Sequence, residues 1–420
     1  MKNNMRFFIA IRYLMGRARE GGRYLRGAAT GIAVSLVPII VTLIVADGMI
    51  RGIVDRYMEL GTGHIQVFNY YEPEKLEDAV EIIKKTGGIR GVWHEQRSMG
   101  ILAGKESKTG AQVRAIDPLF WADKGGAAYL ETRSGTAVME TNRDMLLGES
   151  LAAVIGAEVG DTVRLMTTRS DTGRRVPRVN AFTVKGIVSS GYHELDSLWC
   201  IITLEGGRRI VSGDASASSL IVKIDDPYKK ADDAVMALYS VLGMGYNIYT
   251  WKELMHSQYS SYVSTRQLLL FIMALIVIIA AVNVSSATSM LVLERQRDIA
   301  VLKVTGAGVA DTRGIFLWGS FLTGIAGAAF GIALGLLIGI NINHLIRFLE
   351  KFLSFCSGLF HGNEVKILDP GFYLASIPII IDWTAVLLIG LFTVLCSCIA
   401  SWIPAHRAGK LKPMELIRKY

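Results

Sequence analysis

The sequence predicts a membrane protein: four transmembrane α-helices, with a large α+β extracytoplasmic domain between helices 1 and 2. Three observations carry that prediction. Four stretches of the 420-residue chain, 27–46, 267–293, 314–343 and 383–405, hold no Asp, Glu, Lys, Arg or His. Each reaches the ~20 residues that a helix needs to cross ~30 Å of hydrocarbon. The chain as a whole is apolar, 51% hydrophobic with a mean hydropathy of +0.36, and the long stretch 47–266 between the first two runs mixes helix and strand periods.

Residues 1–26 form a basic leader, with Lys2, Arg6, Arg12, Arg17, Arg19, Arg23 and Arg26 against Glu20. Within it, Phe7, Ile11, Leu14 and Met15 share one face, the pattern of a helix lying in the membrane interface. Basic residues before run 27–46 also suit a signal peptide. The run is longer than the usual apolar core of one and the leader is long, so it is read as the first span. Pro38 predicts a kink in it, and Asp47 is expected to end it, since an acid at mid-bilayer costs ~2.5–3.5 kcal/mol.

The tail 406–420 is basic too, with Arg407, Lys410, Lys412, Arg418 and Lys419 against Glu415. Short basic flanks stay in the cytoplasm, so both termini are expected inside. Segment 47–266 is then outside, 294–313 inside and 344–382 outside. The two basic ends exceed the net charge of +8, which leaves the remainder slightly acidic and argues against a nucleic-acid surface.

In the outer segment, HIQVF (64–68), AQVRAI (111–116), FTVKGIVSS (182–190) and SLIVKID (219–225) read as strands, and EKLEDAVEIIKK (74–85) as a helix. GESLAAVIGAEVGDTVRLMT (148–167) reads as a helix, a turn at Gly160-Asp161 and a strand. The stretch TTRSDTGRRVPRVNA (167–181) holds turn chemistry at Asp171-Thr172-Gly173, and Arg174, Arg175 and Arg178 surround Pro177. It reads either as a solvated hairpin tip or as a protruding arm that offers charge and a free strand edge to a partner. His64 and His94 have no metal-spaced partner and read as structural.

Beyond the second span, charges cluster at Glu294, Arg295, Arg297 and Asp298. Ile299, Ala300, Val301, Leu302 and Val304 then cover almost the whole helical circumference, and Gly306 supplies a stop. A helix apolar all round is buried; here lipid cannot bury it, whereas a partner protein can. The alternative is a solvated loop with incidental apolar residues. In the second span Asn283, Ser285, Ser286, Thr288 and Ser289 suit bonds across helices or to their own backbone, with a polar substrate lining as the alternative. The third span carries Gly327, Gly331, Gly335 and Gly339, a bare face for close helix packing. After it, Leu345, Phe348, Leu349, Phe352 and Cys356 form the stripe of an interfacial helix. Cys396 and Cys398, two apart on a helix, diverge and should not bridge.

No constellation for catalysis is present: no HExxH, no GxSxG and no carboxylate pair in a convincing context. GILAGKES (100–107) falls short of a phosphate loop, with its glycines one residue too close and Glu106 where the magnesium-binding hydroxyl belongs. No cysteine or histidine cluster suggests a metal.

These stretches together resemble a known family. FIAIRYLMGR (8–17), ADGM (46–49), GHIQVF (63–68), GESLAAVIGAEVGDTV (148–163), FTVKGIV (182–188), ERQRDIAVLKVTGAG (294–308) and IPAHRAGKLKPMELIR (403–418) are similar to ABC-transporter permeases of the MacB/FtsX superfamily. The layout and the opening motif resemble the lipoprotein-releasing LolC/LolE branch. The resemblance implies a bacterial inner-membrane, multi-pass subunit with a periplasmic MacB-like domain, no ATPase of its own and no cofactor in this chain. ATP and magnesium would sit on a separate cytoplasmic ATPase dimer. A second permease, identical or LolE-like, and a periplasmic lipoprotein chaperone are implied as partners, with lipoproteins as cargo and membrane lipids around it.

By residue, the resemblance implies an ATPase-coupling site at Arg297, Asp298, Ile299, Ala300, Leu302, Lys303 and Gly306. It implies a chaperone-binding hook at Arg174, Arg175, Val176, Pro177 and Arg178, although the extra arginine beside Arg174 departs from the family pattern. Val41, Ile44, Val45, Met49, Leu269 and Ile272, near the outer ends of the first two spans, are candidates for contact with acyl chains. The alternatives are a MacB-type efflux permease, which usually carries its ATPase on the same chain, and an FtsX-type permease that regulates cell-wall hydrolysis and typically has a much smaller outer domain.

Overall fold

The computed structural model describes residues 8–12, 22–171, 174–210, 218–358, 374 and 377–411, with the side chains of 22–23, 118, 169–171, 174–176 and 356–358 outside that description. Most of the expected leader helix and the end of the closing motif, 412–420, therefore lie outside the described residues. The chain divides into a membrane unit (1–49, 262–365 and 377–420) and a second unit made of 50–261 and 366–376.

Among the described residues four helices are long and apolar enough to cross a bilayer: Tyr24–Thr62, His256–Glu294, Val309–Ile340 and Trp383–Lys410. Three of the four charge-free runs fall wholly within them and run 314–343 overlaps the third as far as Ile340, while the first, second and fourth helices run on past their runs. Asp47 does not end the first: its α-helix continues to Arg56 with Pro38 inside it, and a π-helical turn then follows over Tyr57–Thr62. The cost that was expected to stop it is removed by an ion pair. Arg266 of the second helix donates from Nε to Asp47 Oδ1 at 2.7 Å, and from Nη2 to Asp47 Oδ2 at 3.1 Å and Asp382 Oδ2 at 2.8 Å. Asp382 also accepts from the amides of Thr384 and Ala385, capping the fourth helix. One arginine thus joins three helices.

The glycine face of the third helix receives the first. A methyl group placed on Gly331 would lie 2.9 Å from Ala33 Cα and Leu36 Cβ, and one on Gly327 or Gly335 would press on Ile32 or Ile40. Ile32, Leu36, Ile40 and Ile44 consequently sit in a buried cluster with Met273, Val277 and Val284 of the second helix. Of the polar residues of the second helix, Thr288 is buried in the packing, while Asn283, Ser286 and Ser289 are exposed. Thr288 Oγ1 bonds its own turn at Val284 O (2.8 Å) and lies 3.1 Å from Ser320 Oγ and 3.4 Å from Ser401 Oγ. Ser289 donates back to Ser285 O, which removes the donor cost at membrane depth. Beyond the third helix, Ile342–Gly358 is the expected amphipathic helix, its Phe348 and Phe352 exposed. Cys396 and Cys398 are free thiols, as is Cys200 of the second unit.

The second unit is built on ten strands: β1 (Ile65–Phe68), β2 (Ile89–Ala103), β3 (Lys108–Ile116), β4 (Glu131–Gly135), β5 (Asp144–Gly148), β6 (Thr162–Asp171), β7 (Arg174–Ser189), β8 (Trp199–Ile202), β9 (Ser218–Ile224) and β10 (Asn247–Thr250). The path is β10-β1-β9-β2-β3-β8-β5-β7-β4, and β6 pairs with both β2 and β7. The pairs β2–β3, β3–β8, β8–β5, β5–β7, β7–β6 and β6–β2 therefore form a closed ring, which leaves those strands no free edge where they pair. Val113, Leu147, Val163, Leu165, Val184 and Cys200 fill the ring, plugged by Leu151 and Ile155 of the helix Glu149–Ile155.

Long β2 belongs to two layers. Its first half pairs with β9 and its second half with β3 and β6. On the β9 side, β1 and β10 extend the sheet, and the helices Lys75–Lys84 and Ala231–Leu242 accompany it. The turn before β6 is as read from the sequence, with Gly156 and Gly160 at φ +65° and +95°. GILAGKES is the end of β2 and its tight turn into β3, where Gly104 N bonds Ser107 O at 3.0 Å.

Candidate functional site

The coupling segment folds as a short helix, Gln296–Val304, between the second and third spanning helices. Arg295 breaks the preceding helix at φ −94°, ψ 19°, and its Nη1 bonds Asp298 Oδ2 at 2.9 Å. The exit is a left-handed glycine: Gly306 has φ +98°, and Ala307 N returns to Leu302 O at 2.9 Å. Gly308 N then donates to Asp311 Oδ2 at 3.0 Å to open the third helix.

The helix is not apolar all round in need of one partner, as the sequence suggested. Ile299 and Ala300 are both buried, Ile299 among Leu25, Leu291, Val292, Phe316, Ala405 and Ala408 of the same chain. Lys303 is turned inward as well: its Nζ donates to Gly409 O and Leu411 O, each at 2.6 Å. Those carbonyls end the helix Trp402–Lys410, where a cation meets the negative pole of the helix. The outward face is Arg297, Val301 and Val304, the two valines 59% and 67% exposed. Of the coupling residues predicted from sequence, Ile299, Ala300 and Lys303 hold the segment in place. Arg297 lies on the outward face, and Val301 and Val304 join it there.

The arm is a two-stranded antiparallel ladder. β6 and β7 pair from Thr162↔Thr183 to Asp171↔Arg174, but β2 leaves β6 at Thr167, and β5 and β4 join β7 only from Thr183 and Gly186. From Thr168 outward no third strand joins the hairpin among the described residues. Pro177 fits there because a proline lacks only the edge donor that a central strand would need. Pro177 and Arg178 are exposed, and the turn 172–173 and the side chains of Arg174, Arg175 and Val176 lie outside the described residues.

At the base of the arm runs a strip the sequence did not disclose. Ile101, Met166 and Val179 stand in register on β2, β6 and β7, all exposed, with Met99 two residues along on the same face. The signal was a period of two in MGILA, and only the strand order aligns it with Met166 and Val179.

The six lipid-path candidates do not form one surface. Ile44 is buried against Gly339 because the glycine stripe draws the first helix in. Leu269 packs on the same cluster, Val41, Val45 and Met49 are half-buried, and Ile272 is exposed beside Phe271.

The second unit also holds a buried ionic network. Lys223, fully buried, lies 3.2 Å from Glu59 Oε2 and 3.1 Å from Asp123 Oδ2, and Arg90 reaches the same two carboxylates. Burial works to raise the Asp123 carboxyl, but the hydrogen bond and charge of Lys223, with Arg90, hold it below the usual carboxylate range. His64 is structural as expected: Nε2 bonds Glu59 Oε1 at 2.9 Å and Nδ1 accepts from Ile224 N at 2.8 Å. His94 is half-buried, with its Nε2 buried and without a hydrogen-bond partner among the described residues; burial pushes its pKa down. Arg114, wholly buried, donates to Glu95 and to the carbonyls of Leu60 and Gly61. Burial lowers it to about 10 against the pull of Glu95. Among the described residues no group of His, Cys, Asp and Glu is arranged to hold a metal ion.

Two family models match the chain one after the other. Residues 27–238 match the MacB-like periplasmic core domain and residues 270–413 the FtsX-like permease C-terminal domain. The chain belongs to the family of membrane permeases with a MacB-like periplasmic core domain. Within it, the likeness to LolC and LolE proteins runs the full length. The lipoprotein-releasing system transmembrane protein LolC of Xylella fastidiosa is 26% identical over all of both chains. LolC of Neisseria meningitidis is 25% identical over 98% of each, and LolE of Haemophilus influenzae 22% over 99% of this chain and all of its own.

Proposed function

We propose that this chain is the permease subunit of an ABC transporter that extracts lipoproteins from the outer leaflet of the inner membrane and passes them to a periplasmic chaperone. A separate ATPase dimer drives it, and a second permease, identical or LolE-like, faces it. The observation that carries this reading is the end-to-end likeness to LolC and LolE proteins, and the unsupported hairpin between β6 and β7 agrees with it. In this reading both termini are cytoplasmic, the coupling helix meets the ATPase, and the strand-rich unit lies in the periplasm.

Energetics explain why such a step is driven. Each buried methylene holds ~0.8 kcal/mol, so an acyl chain of ~15 methylenes resists extraction by roughly 12 kcal/mol. The arm is the docking element for the chaperone: two free strand edges offer backbone pairing, the arginines offer charge, and the strip Met99, Ile101, Met166 and Val179 offers adaptable apolar contact. The test is a pull-down of the chaperone by Arg175→Glu with Pro177→Ala. The expected result is loss of chaperone with ATPase association retained; unchanged capture removes the arm from the scheme.

A further inference from the structure

The third and fourth spanning helices leave an apolar groove at the end of the membrane unit that carries the coupling helix. Leu317, Trp318 and Phe321 line one wall and Cys398, Ile399 and Trp402 the other, around about 490 Å³. Trp318 and Phe321 meet edge to face with centroids 5.4 Å apart. At the mouth stands Arg313, its guanidinium carbon 4.8 Å from the centre of the Trp402 ring.

Three features together say what fills it. The groove lies on helices that span the bilayer, so its open side faces lipid unless protein covers it. Arg313 and Trp402 sit at the border of the charge-free runs 314–343 and 383–405, the depth at which tryptophans gather by headgroups. And among the described residues no carboxylate forms an ion pair with Arg313, so no described acid compensates the cation at the mouth. We infer that the groove binds an anionic glycerophospholipid of the leaflet on that side, with an acyl chain along Leu317, Phe321 and Ile399 and its phosphate at Arg313. A zwitterionic lipid offers the same chain but no net negative charge for that arginine. The site is separate from any cargo route and stands whatever the protein transports.

The experiment uses the full chain with Trp383→Phe, so that Trp318 and Trp402 are the tryptophans at bilayer depth within the spans. It is reconstituted in phosphatidylcholine vesicles that hold the same fraction of either brominated phosphatidylglycerol or brominated phosphatidylcholine. Bromine quenches tryptophan at contact. The expected result is stronger quenching by the anionic lipid, matching a local enrichment of roughly fivefold for one basic side chain at the headgroups. Arg313→Ala is expected to abolish the difference and Arg313→Lys to keep most of it; Arg313→Gln replaces the alanine variant if that one does not insert. Equal quenching by the two lipids, or a preference unchanged in Arg313→Ala, overturns the inference. Quenching by neither lipid also overturns it, and assigns the groove to a protein neighbour such as a second copy.

Discussion

At the residue scale, direction decides role. Ile299 and Val301 are two positions apart on one short helix, yet the first is 1% exposed and the second 59%. A charge at Ile299 would disrupt the chain's own packing before it reached any partner. The proposed coupling contact is therefore tested on the outward face: Val301→Asp with Val304→Asp is expected to abolish ATPase association and leave the stability of the isolated permease within the ~0.5 kcal/mol typical of surface changes. Asp123 gives a second prediction. Its folded carboxyl lies below its unfolded value, so its contribution to stability is full above the unfolded carboxylate range, near ~4, and is lost as pH falls through the folded value. Asp123→Asn leaves Lys223 with Glu59 alone. It is expected to cost roughly 3 kcal/mol at neutral pH and to flatten the acid limb of a melting-temperature series; an unchanged acid limb assigns that limb to other groups.

At the element scale, the glycine stripe of the third helix sets how close the first helix lies, and so which of its residues remain available to lipid. The stripe predicts a contrast between neighbouring glycines. At Gly331 a methyl group meets the backbone of Ala33 at 2.9 Å, whereas at Gly319 its nearest neighbour is Leu25 Cδ1 at 3.8 Å. Gly331→Ala is expected to destabilise by more than ~1 kcal/mol through overpacking, and Gly319→Ala to be neutral or slightly stabilising. Thermal unfolding in one detergent compares the two, and equal shifts contradict the packing. The arm follows from the same kind of accounting. Among the described residues β6 and β7 outlast every neighbouring strand, so their outer ladder has no strand on either side.

At the scale of the whole molecule, what the sequence disclosed was whatever depends on one stretch of chain. Charge-free runs mark the spans because solvation acts on each segment alone, and the bare face of Gly327 to Gly339 announces close packing without saying with what. The rest depends on residues far apart. The first helix outlasts Asp47 because Arg266 reaches it from 219 positions away. The closed ring follows from β6 pairing with β2, and the inward turn of Lys303 from carbonyls more than a hundred residues on. Of the candidate sites, the hairpin and the coupling helix were legible as elements, but which coupling residues face outward was not.

The central claim is that the chain moves lipoproteins at the expense of ATP. Its most direct measurement reconstitutes the permease with the ATPase dimer proposed as its partner in proteoliposomes that contain a triacylated lipoprotein, and follows transfer to a soluble chaperone. The account predicts release that requires ATP and chaperone and disappears with Val301→Asp and Val304→Asp. ATP hydrolysis by the assembled complex with no lipoprotein released would contradict it.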